Sequence, residues 1–163
     1  MRYCKAGTNK LVAISEKINP KFKMMKDKIL NELNLANSLY HELIQNYKNV
    51  LPENIIAGSI NNFEVEIPKF VNNFLSILNS VEGHEVFKPV KTIGNALEIF
   101  NEQAIDSSIE KTIENKNIVG IGGKTGTLSA KELLDASVDG IESGVRLLNM
   151  QLKLAKLSAG ELQ

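Results

Sequence analysis

The chain has 163 residues, 43% of them hydrophobic and 23% charged, which suits one folded domain of ordinary size and excludes wholesale disorder. Aromatics are scarce and Trp is absent, so the core must be built from Leu, Ile and Val. The net charge of zero hides an asymmetry: residues 1–28 hold eight Lys/Arg against two Asp/Glu, a net of +6, and the rest hold eleven against seventeen, a net of −6.

The lone Cys4 has no intramolecular disulfide partner, which favours a reducing compartment. The longest apolar run near the N-terminus, Leu11 to Ile14, is far short of a signal h-region, and no stretch approaches a membrane span. The expected location is the cytoplasm, or export without a cleavable signal peptide.

Residues 1–18 are expected to be a basic N-terminal segment, either flexible or a short helix through Leu11, Ile14 and Ile18, ahead of a single helical-bundle domain at 19–163. Asn19 and Pro20 are a good helix-start pair, because Asn caps free amides and Pro suits the first helical position. From there Phe22, Met25, Ile29, Leu33, Ala36, Tyr40, Leu43, Tyr47 and Val50 recur by threes and fours. The predicted helix has about 30 residues and is about 45 Å long, and Pro52 closes it. A broken element follows: a short helix in PENIIAGSIN, then FEVEI, whose alternation predicts a short extended segment ended by Pro68. Pro68 starts a helix through Val71, Phe74, Leu78 and Val81, with Gly83 as its C-cap. Another helix is predicted from near Pro89, along Val90, Ile93, Leu97, Phe100 and Ala104, its seam then shifting to Ile105, Ile109 and Ile113.

The last helix has the clearest pattern. Ser129 and Glu132 form a capping-box pair. Leu134, Val138, Ile141, Val145, Leu148, Leu152, Ala155 and Ala159 then follow as an unbroken heptad seam. A second stripe, Leu147, Met150, Leu154 and Leu157, runs along its later half. The fold class expected is all-α: an antiparallel bundle of three long helices and one broken helical element, with a short extended segment and a Gly-rich loop.

That loop, GGKTGT at 122–127, is the most enzyme-like stretch. Gly123-Lys124-Thr125 looks like the end of a Walker A phosphate loop, but the glycine due five residues before Gly123 is Ile118, and too little chain follows to complete such a fold. The same residues resemble the KTGT strand of penicillin-binding proteins and serine beta-lactamases, and Ser108-Ile109-Glu110-Lys111 fits that family's S-x-x-K. The resemblance would make Ser108 the nucleophile, Lys111 its activating neighbour and Lys124 a substrate-carboxylate anchor. Lys111 and Lys124 are too close in sequence for that family, which places most of a large domain between the two motifs. A glycine-rich connector accounts for the stretch without a ligand.

His41 and His84 each precede a Glu but do not make the Glu-x-x-His spacing of di-iron bundles, and Cys4 is remote from both, so no metal or other cofactor is expected. Lys17, Lys21, Lys23, Lys26 and Lys28 make a basic head around Phe22, Met24 and Met25. Such a segment can lie on an anionic membrane surface, but Phe22 and Met25 belong to the helix seam, and no nucleic-acid-binding motif accompanies the lysines. Membrane and nucleic acid are therefore not the favoured partners. Ala136, Gly140 and Gly144 form a small-residue stripe that would admit a closely packed helix.

With no credible catalytic set, the expectation is a non-enzymatic protein-protein interaction module. It would self-assemble, or meet a helical partner, through the C-terminal seam Leu134, Val138, Ile141, Val145, Leu148 and Leu152, the second stripe and the basic head. A helical structural or accessory subunit of a secretion or phage apparatus is the alternative. A small enzyme or nucleotide binder using GGKTGT comes last.

Overall fold

In the computed structural model residues 20–47, 55–114 and 129–162 are described, and everything regular among them is helical. The N-terminal segment 1–18 and the GGKTGT loop lie outside the described residues. The helices are α1 (Pro20–Tyr47), α2 (Ile55–Glu82), α3 (Ile93–Ile99), α4 (Gln103–Glu114) and α5 (Ala130–Leu162). One buried cluster draws on all five, from Met25 and Ile29 through Phe63, Phe74, Ala96 and Ile109 to Val145 and Leu152.

The predicted extended segment at Phe63–Ile67 is helix, in the interior of α2. Phe63 and Ile67 are both fully buried, and a spacing of four satisfies a helix face as well as a strand face. Val65 decides between them. A strand would bury it with its two neighbours, yet it is 56% exposed. The longer series Ile56, Ile60, Phe63, Ile67, Val71, Phe74 and Leu78, all buried, carries the helical period straight through the five-residue alternation. Pro68 does not start a helix but sits inside one, forgoing a single backbone bond against the burial of the whole face. Gly83 ends α2 as predicted, with φ of 78° and its N–H donating to the Asn79 and Ser80 carbonyls.

The helix predicted from Pro89 starts later and is interrupted. Thr92 caps α3 by accepting from the Asn95 N–H at 3.0 Å. The chain turns at Phe100–Glu102 before α4, where the apolar seam changes face. The broken element is therefore α3 with α4, and residues 55–82 form one of the long helices.

Residues 84–91 are an extended strap held against α2 by two asparagine side chains. Asn79 accepts from the N–H groups of Val86 (2.9 Å) and Phe87 (2.8 Å) and donates to the Phe87 carbonyl (2.8 Å). Asn72 accepts from the Val90 N–H (2.7 Å) and donates to its carbonyl (3.0 Å). These amides do the work of a neighbouring strand, and between them Phe87 and Val90 enter the core.

The strap adds a pass along the bundle and changes the order of directions. Lys28 faces Asp139 and Glu142, Glu32 faces Arg146, and Glu42 pairs with Lys156, so residue numbers rise together along α1 and α5. These two helices run in the same direction, where an uninterrupted antiparallel order would have opposed them. Asn149 lies buried in this contact and donates to the Glu32 carbonyl at 3.4 Å, a polar group at one place in an otherwise apolar seam that favours one register.

At the end of α2, Glu82 accepts from Ser108 Oγ and Lys111 Nζ, both at 3.0 Å. Of the two residues that would be nucleophile and activator in the S-x-x-K resemblance, Lys111 is thus ion-paired with Glu82 and Ser108 donates a hydrogen bond to the same carboxylate. The Lys111 and Ser108 hydrogen bonds lower the Glu82 pKa from its ordinary 4.5. A carboxylate held low in the folded state contributes stability above its unfolded value and loses it as pH falls through its folded value. Glu82→Gln should therefore cost about 1 kcal/mol near neutral pH. The difference from the parent chain should shrink below pH 4.5, as read by urea unfolding across pH.

Candidate interaction surface

The heptad seam of α5 is covered within the chain. Leu134, Val138, Ile141, Val145 and Leu152 are each 2% exposed or less, and Leu148 packs against the same core. As an interaction surface for another molecule, the seam is corrected to bundle core: α1 and α2 already lie against it. The second stripe has the opposite fate. Leu147, Met150, Leu154 and Leu157 are 56%, 55%, 62% and 65% exposed. At about 100° per residue these four centre on the face directly opposite the seam.

The outward face is longer than the stripe. Ala136, Gly140, Ser143, Leu147, Met150, Leu154 and Leu157 follow at alternating spacings of four and three, and all are exposed. Its first half is small and its second half large and apolar. Arg146 and Lys153 flank it on the side toward α1, with Gln151 and Ser158 on the other, all exposed. Arg146 bonds Glu142 (2.6 Å) and Glu32 (3.3 Å), which hold its guanidinium protonated more firmly than usual.

The small-residue stripe divides at its last member. A Cβ on Gly144 would lie 2.7 Å from Phe70 Cζ, so this glycine admits the Phe70 ring of α2, whereas one on Gly140 would meet nothing within 4 Å. Close packing inside the chain explains Gly144 alone. Gly140→Ala should stabilise the fold by up to about 1 kcal/mol through helix propensity. Gly144→Ala must displace the Phe70 ring and should lose about 1–3 kcal/mol; thermal unfolding of the two variants reads the opposite signs.

Of the basic head, Lys17 lies outside the described residues, as does the Lys21 side chain. Lys23 is exposed, whereas Lys26 pairs with Asp106 at 2.7 Å and Lys28 reaches Glu142 at 3.7 Å. Two of its cations are thus already engaged by this chain's own carboxylates. Phe22 and Met25 face the core as the seam predicts, and Met24 points out at 61% exposure.

A cleft of about 290 Å³ opens between α1, α2 and the start of α3, lined by Asn37, Tyr40, His41, Glu64, Lys91, Thr92, Ile93 and Gly94. Tyr40 stacks on Phe63 with ring centroids 6.2 Å apart. Burial, and then the Glu64 carboxylate, raise its phenol pKa, so at neutral pH it is a hydrogen-bond donor rather than a base. Among the described residues no group of three or more His, Cys, Asp or Glu could hold a metal, and no helix is long and apolar enough to cross a membrane. The cleft had no signal in the sequence, because its residues come from three separate elements.

Comparison with protein families, curated proteins and solved structures finds no match. The functional reading therefore rests on the surface itself.

Proposed function

We propose that this protein is a non-enzymatic helical module that associates with another helix through the outward stripe Leu147, Met150, Leu154 and Leu157, and that it self-associates. The observation that carries this reading is four large apolar side chains, all more than half exposed, at heptad spacing on one face. Scattered exposed leucines are ordinary; a contiguous row is a contact surface. In this reading α2 runs antiparallel to α1 and α5, supporting α5 from inside so that its outer face is presented as a rigid ridge.

Burying the exposed part of each side chain is worth about 1 kcal/mol or slightly more, so one stripe contributes roughly 5 kcal/mol and two facing stripes roughly 10. Association costs roughly 4–15 kcal/mol. A partner with no apolar row of its own leaves almost nothing over even at the low end of that cost, where two rows leave about 4–6 kcal/mol, a dissociation constant on the order of 50 µM to 1 mM. The basic head contributes less than its +6 implies, because Lys26 and Lys28 are engaged internally. A static subunit of a larger helical apparatus would use the same ridge.

Light scattering over that concentration range tests the reading. The weight-average mass should climb from 18.0 kDa toward twice that value. A mass constant at the monomer value throughout would refute self-association.

A further inference from the structure

We infer that the occupant of the ridge is α5 of a second copy, parallel and in register, about a twofold axis running along the stripe; this rests on the self-association proposed above. Two observations fix the orientation. The first is the division of the outward face into a small half (Ala136, Gly140, Ser143) and a large apolar half (Leu147, Met150, Leu154, Leu157). In a parallel, in-register pair every large residue meets its own kind and every small residue meets a small one. The whole face is then used, with close backbone approach at Gly140, where a Cβ would find open space. An antiparallel pair that matches the large halves leaves the small halves uncovered.

The second is charge. With Leu147 and Leu154 at a and Met150 and Leu157 at d, Arg146 and Lys153 occupy g while Gln151 and Ser158 occupy e. Parallel helices bring g of one chain to the next e of the other, so Arg146 faces Gln151 and Lys153 faces Ser158, each a cation beside a neutral polar group. Antiparallel helices bring g to g. Matching the large halves then sets Lys153 against Lys153. Of the registers that nest large residues on small ones, the one that sets Leu157 on Gly140 places Arg146 against Lys153 twice, and the one that sets Leu154 on Ala136 places Arg146 against Arg146 between two Lys153–Asp139 pairs. Each places like charges in contact, and the parallel pair alone avoids it.

Disulfide trapping of the full chain in a Cys4→Ser background tests this. Leu157→Cys, whose side chain is 65% exposed and outside the core, should cross-link to itself under mild oxidation at about 200 µM, inside the association range given above. Each antiparallel register holds two such cysteines on the order of 15 Å or more apart at 1.5 Å per residue. Efficient cross-linking of Leu157→Cys with Leu147→Cys or Gly140→Cys in mixed samples, without the Leu157→Cys homodimer, would overturn the orientation and leave self-association standing. A monomer by light scattering at the same concentration would overturn both.

Discussion

Leu147→Glu combined with Leu154→Glu should weaken self-association by at least about 100-fold while leaving the chain folded. Both residues are more than half exposed on the outer face of α5, so their loss removes no core contact, and Glu is as good a helix former as Leu. The stability change expected at such positions is within about 0.5 kcal/mol each. In the associated state the same changes set charged groups at the centre of an apolar contact, removing most of the attraction and adding repulsion. Leu152→Glu is the contrasting control. It lies on the same helix but is 1% exposed, so it should unfold the protein by introducing a carboxylate into the core. Sedimentation velocity and circular dichroism on the two variants separate a lost surface from a lost fold. If the double variant still associates like the parent chain, the ridge is not the contact.

The second large effect concerns the strap. Asn79→Ala should destabilise the fold by about 2–4 kcal/mol, since three hydrogen bonds go at once and the N–H groups of Val86 and Phe87 lose their acceptor. The loss extends beyond those bonds, because Phe87 is 3% exposed and enters the core from the strap. Asn79→Asp keeps the acceptor and discards the donor, so it should cost less than the alanine variant. Urea unfolding of both gives the ordering. An alanine variant within 0.5 kcal/mol or so of the parent would mean that core packing at Phe87 and Val90 holds the strap without the amide.

The strap also marks where sequence reading reaches its limit. Asparagines are frequent throughout this chain, and nothing in the spacing of Asn72 and Asn79 separates them from the solvent-facing ones, because their partners lie across a turn in residues 86–90. Missing the strap meant missing one pass of the chain, and with it the shared direction of α1 and α5. By contrast, α1 and α5 were legible almost residue for residue: Met25, Ile29, Leu33, Ala36 and Leu43 are buried, and so are Leu134, Val138, Ile141, Val145 and Leu152. A seam states which face is apolar and not what covers it. The stronger of the two stripes on α5 turned inward, leaving the weaker one outside. FEVEI misled because five residues are too few to separate a period of two from one of 3.6, and only the flanking Ile60 and Val71 decide it. The Gly144 contact needed the position of Phe70, one turn of information that no local pattern contains.

The most direct test of the account is sedimentation equilibrium of the unmodified chain at roughly 50 mM and roughly 500 mM salt, from about 10 µM upward. An apolar ridge pairing with its own copy predicts a monomer-dimer equilibrium whose constant is unchanged, or slightly strengthened, at the higher salt. Dissociation on adding salt would contradict it and return the contact to the +6 head meeting the −6 body of another copy.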